Sequence, residues 1–223
     1  MTIKNVTATL ILAAFSFSAF ADAVADRAAH FNQLFFDKVP ANYLDVNIQH
    51  GIARTRNVLT VIPGVLYRGG GEHGQHPLTS DALMDLCVKG FSLAVYAYET
   101  EYRDPGVIRC TTKDGHANSL RYIAGSANTD GFKETFLREV QTVISNPALG
   151  PVFEHCWNGD HASGELAAVA LRQFCKMDVP TVNAYWLRHG AGAPLIKRIG
   201  KFSPIGGLSI PDNEMDVLCS QKK

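Results

Sequence analysis

The chain has 223 residues, with 21 basic and 21 acidic side chains, 46% hydrophobic and 19% charged residues. That length and balance support one ordinary domain with a real core, and give no sign of a nucleic-acid or membrane-surface partner. There is no internal repeat, low-complexity tract or long linker.

Residues 1–21 read as a secretory signal peptide. Lys4 precedes the uncharged apolar run Val6 to Phe20, and Ala19-Phe20-Ala21 fits a small-x-small cleavage pattern, with the cut near Ala21–Asp22. The run is shorter than the roughly 20 residues needed to cross a bilayer. The mature protein is therefore expected without a transmembrane span, in the periplasm or outside the cell. Export would place Cys87, Cys110, Cys156, Cys175 and Cys219 in an oxidising compartment. An odd count leaves one cysteine over or paired between chains. If Cys156 is the free one, the other four allow three pairings. No C-x-x-C spacing suggests zinc or a thioredoxin-type site.

Residues 22–57 form an N-terminal extension. In it, Ala28, Phe31, Leu34 and Phe35 predict a helix over 26–38, and the pattern over 42–56 is weak. Val58 to Ile62 reads as a strand, Pro63-Gly64 as a turn and Val65 to Tyr67 as a strand, after which Gly69-Gly70-Gly71 breaks the chain. Thr79 or Ser80 caps a helix through Leu83, Leu86 and Cys87, ended by Gly90. Phe91 to Tyr98 is apolar throughout, as in a buried central strand. Leu120 to Ile123 is a further strand. Phe132, Phe136, Val140, Val143 and Ile144 lie along one side of a helix over 132–144. Val152 to His155 is a short strand, Ser163 to Lys176 a strong helix and Thr181 to His189 another. The chemistry-bearing domain is expected over 58–203, with 204–223, rich in Gly and Pro, as a looped tail. Strands alternating with helices predict an α/β sandwich around a mostly parallel sheet.

The stretch HCWNGDHASG, residues 155–164, joins the last strand to the strong helix. A helix N-terminus offers free N–H groups and partial positive charge, which suits an anion. A cysteine there is favoured as thiolate. Gly159 lets the loop curl. The Ser163 hydroxyl is placed to cap the helix or to donate to the sulfur.

This stretch resembles the signature loop of cysteine-dependent protein tyrosine and dual-specificity phosphatases, His-Cys-x-x-x-x-x-Arg-Ser/Thr-Gly. His155, Cys156, Gly159, Ser163 and Gly164 occupy matching positions, and His161 matches the atypical fungal and plant branch, Gly-Lys-His-Arg-Thr-Gly. Val65-Leu66-Tyr67-Arg68-Gly69-Gly70 is similar to that family's xLYRS stretch, so the resemblance spans roughly residues 58–176. It implies a dual-specificity-phosphatase-like sandwich. It implies Cys156 as nucleophile and Asp130, in the loop before a helix, as the acid that protonates the leaving oxygen, with Ser163 assisting. His155, Trp157, Asn158, Gly159, Asp160, His161, Ala162 and Gly164 would form the loop around a phosphorylated or other anionic ligand. No cofactor is implied.

Two positions depart from that pattern: the family's Arg is Ala162 and its Lys is Asp160. An Arg fork gives charge-assisted bidentate bonds that Ala lacks. In other phosphoryl transfers such an Arg contributes on the order of 10³ to 10⁵ in rate. Asp160 also disfavours a dianion and opposes the thiolate. Three functions follow: a phosphatase-like protein impaired in monoester hydrolysis that keeps its pocket for a ligand, an active enzyme with a rebuilt site, or a redox or acyl-transfer thiol. In a rebuilt site the cation is His161, when protonated, or Arg68, which otherwise pairs with Glu99 or Glu101. Asp130 equally reads as a helix cap. Trp157 either stacks on a ligand ring or fills a groove. His73 and His76 in GGGEHGQH are too weak a pattern to predict a metal.

Overall fold

The computed structural model describes residues 22–23, 25–31, 55–72, 76–188 and 198–219. The expected signal peptide, helix positions 32–38, the weak stretch up to 54 and His73 lie outside them. Six strands form one sheet: β1 (Leu59–Ile62), β2 (Leu66–Gly70), β3 (Leu93–Tyr96), β4 (Ile108–Thr111), β5 (Ala117–Ala124) and β6 (Val152–Cys156). Their order is β1-β2-β6-β3-β5-β4. β2, β6, β3 and β5 run parallel, while β1 and β4 add antiparallel at the edges. The expected mostly parallel α/β sandwich is therefore the fold.

Helices cover both faces, and this explains the continuous apolar strands. All five residues of β6 are buried, whereas edge strand β4 alternates half-buried with exposed. On one face lie α3 (Asp130–Ser145), α4 (Ala162–Phe174) and α5 (Val179–Arg188); Phe136, Val140, Leu166, Val169 and Trp186 pack there on Val95 and Val152. On the other, α2 (Ser80–Val88) and helical residues 25–31 (α1) bring Leu83, Leu86 and Phe31 onto Tyr67, Phe91 and Phe153. Each such large side chain stabilises by roughly 1.5–3 kcal/mol on burial. Apart from Arg172, α4 is buried on every side, and its run of Ala167, Ala168 and Ala170 keeps it slim enough for that position. Thr79 caps α2, its Oγ accepting from the Ala82 N–H at 3.2 Å, and Gly90 follows at φ +88°.

Three expectations need correction. Gly69 and Gly70 do not break the chain; they belong to β2 and pair with His155 and Cys156. A Cβ on Gly70 would lie 2.6 Å from the Asn158 carbonyl carbon, so the glycine permits a close approach rather than ending the strand. β4 was not foreseen. It is a short edge strand, fixed by the Cys87–Cys110 disulfide to α2. The stretch from Pro204 is not all loop: Asp212–Glu214 is a 3₁₀ turn and Met215–Leu218 a helical turn. The Cys175–Cys219 disulfide ties this end to the close of α4, leaving Cys156 as the free cysteine.

Candidate anion site at Cys156

Cys156 ends β6 and Ala162 begins α4, so residues 157–161 wrap one turn between strand and helix. Gly159 holds φ +84°, a conformation that favours glycine, and its N–H donates to the Cys156 Sγ at 3.2 Å. Ser163 does not cap the helix. Its Oγ shares a hydrogen bond with Sγ at 3.3 Å. The loop is held from the side by β2, where the Gly71 N–H donates to the carbonyls of Cys156 (2.8 Å) and Trp157 (3.1 Å). The sulfur is buried and receives a backbone N–H at the head of a 13-residue helix, as an anion site requires.

The charges beneath the loop are arranged differently from the expectation. Arg68 is fully buried, and its Nη2 donates to the Gly159 carbonyl at 2.6 Å. Glu154, beside it on β6, and Asp160 face its charge, rather than Glu99 or Glu101. Burial pushes the Glu154 carboxyl well above the usual range, opposed by Arg68. Neighbouring His155 is also fully buried, and burial lowers it to about 3, so the ring is neutral. Its Nδ1 lies 3.3 Å from the Cys156 carbonyl and its Nε2 2.9 Å from the Tyr122 hydroxyl. A proton on Nδ1 satisfies both, with the tyrosine donating to Nε2. His155 therefore shapes the floor of the loop and stacks on Tyr96, 4.9 Å between ring centres.

The rim carries the remaining expected residues. Trp157, Asn158 and His161 are exposed. The Trp157 Nε1 donates to the Tyr96 hydroxyl at 2.7 Å, and His76 stacks on the indole at 4.0 Å. Trp157 thus has aromatic neighbours of its own. Asp160 accepts from Asn57 and is half-buried; burial pushes its carboxyl up, while Arg68 and His161 oppose this. Its backbone carbonyl accepts from Trp186 at 3.0 Å, and Gly164 leaves room for that indole. Ala162 is buried at the first position of α4. Asp130 opens α3 with its carboxylate in solvent, 4.0 Å from Lys133; no contact ties it to Cys156. Asp130 is not at the N-cap position either: Thr129 stands there, and its side chain makes no cap hydrogen bond.

Sequence reasoning missed Glu165, Lys133 and Arg198. Glu165, in the first turn of α4, is buried and ion-paired with Lys133 at 2.9 Å, with the Arg198 Nη1 at 3.5 Å. A carboxylate directly before the apolar run Leu166 to Leu171 was the available signal. Among the described residues no group of three His, Cys, Asp or Glu is arranged for a metal. A cavity of about 370 Å³ lined by Arg27, His30, Phe31, Lys89, Lys113 and Gly150 lies at the opposite end of β6. At roughly 3.3 Å per residue it is on the order of 20 Å from Cys156.

No protein-family profile matches the chain, and no curated protein does. Among solved structures, the chain is similar to the core catalytic domain of the PP-IP phosphatase Siw14 from S. cerevisiae in complex with citrate. That match has 14% identity and a TM-score of 0.44, covering 75% of this chain and 93% of that one. A second structure of the Siw14 catalytic core gives 16% identity and a TM-score of 0.43, covering 74% and 91%.

Proposed function

We propose that the protein is an exported, cysteine-phosphatase-like protein that takes a phosphorylated or similar anionic ligand over Cys156 and hydrolyses phosphate monoesters poorly. One observation carries this reading. The loop keeps its sulfur, the Gly159 N–H and the Ser163 hydroxyl in contact. The position that would hold a clamping guanidinium is Ala162, and Arg68 is engaged beneath the loop with the Gly159 carbonyl. Binding by backbone N–H groups survives that arrangement. Bidentate stabilisation of a transferring phosphoryl group does not.

The test is hydrolysis of a small aryl phosphate by the mature protein, with Cys156→Ser as the control. Turnover at background level is expected, and a large gain in Ala162→Arg. Robust Cys156-dependent turnover in the unaltered protein would sink the impaired reading. Export is supported by the leader pattern and by two intramolecular disulfides. Cell fractionation checks it, and a cytosolic, unprocessed chain would refute it.

A second reading is favoured by the free Cys156 and its two hydrogen-bond partners: an active hydrolase with a rebuilt site. Cys156 would attack phosphorus as the ester oxygen leaves with a proton from Asp130, and His161 or Arg68 would stabilise the anion. Loss of all turnover in His161→Ala supports it. Unchanged turnover in both His161→Ala and Arg68→Ala rejects those roles.

A further inference from the structure

The charge that Ala162 withdraws from the loop has a candidate source elsewhere in the chain. Ala162 and Glu165 stand three residues apart on α4 and so share a helix face, with Cβ atoms roughly 5–6 Å apart. Arg198 reaches that face: its Nη1 lies 3.5 Å from the Glu165 Oε2 and donates to the Asn128 Oδ1. Asn128 belongs to the loop before α3. The adjacent Ala127 N–H bonds the Ala97 carbonyl, and the Ala97 N–H bonds the carbonyl of His155, next to Cys156. Burial raises the Tyr98 hydroxyl above its usual range, and the charges of Cys156, Arg198 and Glu165 also act on it.

Arg198 is also presented on a fixed base. The Arg172 Nη1, on α4, donates to the carbonyls of Ile199 (2.6 Å) and Phe202 (2.8 Å), and Ile199 is buried in the core. The Arg198 side chain is about half exposed, at 47%. Glu165 is held independently by buried Lys133. Glu165 therefore keeps a partner when Arg198 turns from it towards an anion.

We infer that Arg198 supplies the cation of the Cys156 pocket, gripping a tetrahedral oxyanion from the C-terminal segment where the loop itself offers Ala162. This rests on the reading of the loop as an anion site. Arg198 adds charge for binding. It does not replace a fork built into the loop, so it is compatible with poor turnover.

The experiment is alkylation of Cys156 in the full mature protein, with both disulfides intact. Rates with anionic iodoacetate and neutral iodoacetamide are compared, and inorganic phosphate is used as protectant. The unaltered protein is expected to favour iodoacetate and to be protected by phosphate. Arg198→Ala and the milder Arg198→Gln should each lower the iodoacetate-to-iodoacetamide ratio by roughly fivefold or more and weaken protection. Ala162→Arg added to Arg198→Ala should restore both. Circular dichroism monitors folding, and Arg198→Gln decides the matter if the alanine variant unfolds. A ratio and protection unchanged in Arg198→Gln overturn the role of Arg198 alone. Absence of phosphate protection in the unaltered protein overturns the anion-site reading, and this one with it.

Discussion

Gly164→Ala sets two physical effects against each other at the candidate site. Gly164 lies inside α4, where alanine is the better helix former by roughly 1 kcal/mol. Propensity alone therefore predicts a stabilised protein. Packing predicts the reverse. A Cβ at residue 164 would stand 2.1 Å from the Trp186 Nε1, 2.7 Å from its Cδ1 and 3.0 Å from its Cε2. Trp186 is fully buried, so its ring moves only by displacing core neighbours. Overpacking of this kind costs about 1–3 kcal/mol. Moving the indole also stretches its 3.0 Å bond to the Asp160 carbonyl, a further cost of about 1 kcal/mol. The packing terms win, leaving a net loss of about 1–3 kcal/mol. For a domain of this size that lowers Tm by roughly 2–4 °C per kcal/mol. Urea and thermal unfolding of the two proteins measure it, and the alkylation rate of Cys156 reports whether the displaced Asp160 loosens the loop. Gly164→Ala as stable as the unaltered protein, or more stable, would refute the claim that this glycine serves the Trp186 contact.

Three further outcomes follow from buried charge and cross-links. His155 drops to about 3 on folding from about 6.5 when unfolded, so the unfolded chain takes up the proton first and stability falls as pH drops between those values. This group contributes up to roughly 1.4 kcal/mol per pH unit there. Urea midpoints from pH 4 to 7 should show a shallower acid loss in His155→Gln, and parallel curves would contradict the burial argument. Arg68→Met removes the charge that holds the buried Glu154 carboxyl down and the donor to the Gly159 carbonyl, and should cost about 1–3 kcal/mol at pH 7. Because the Glu154 carboxyl is raised on folding, its contribution is present at low pH and is lost as pH rises through the unfolded value towards the raised one. The Arg68→Met penalty should therefore shrink at pH 5, and a penalty independent of pH between 5 and 7 would argue against the pairing. Replacing both Cys175 and Cys219 by Ala opens a bridge of sequence separation 44, for which loop closure predicts a loss of about 4 kcal/mol. An unchanged denaturation midpoint would show that the terminal turn docks without it.

What was legible in the sequence was local. HCWNGDHASG lies in one continuous stretch between a strand and a helix, so its nucleophile, its Gly159 turn and its Ser163 hydroxyl follow from neighbours in the chain. Helices α3 and α4 likewise declared themselves by their apolar spacing. Edge strand β4 did not, because Ile108 to Thr111 is too short to show a period and gains its place from β5 and the bridge to α2. Gly69 and Gly70 misled for a related reason. Isolated from its partner, a glycine run reads as a break, and only the approach of the Asn158 backbone shows why no side chain fits there. The charges at the site depend on the fold still more. Glu154 meets Arg68 only through the β2–β6 register, and Arg198 meets Asn128 across 70 residues of chain and Glu165 across 33. A loop motif fixes where a sulfur and its N–H groups stand. It says little about which cation shares the pocket, because a guanidinium on a long flexible stem reaches the same volume from many points of the chain. The loss of a loop arginine, as at Ala162, is consequently evidence against bidentate clamping and not against positive charge in the pocket.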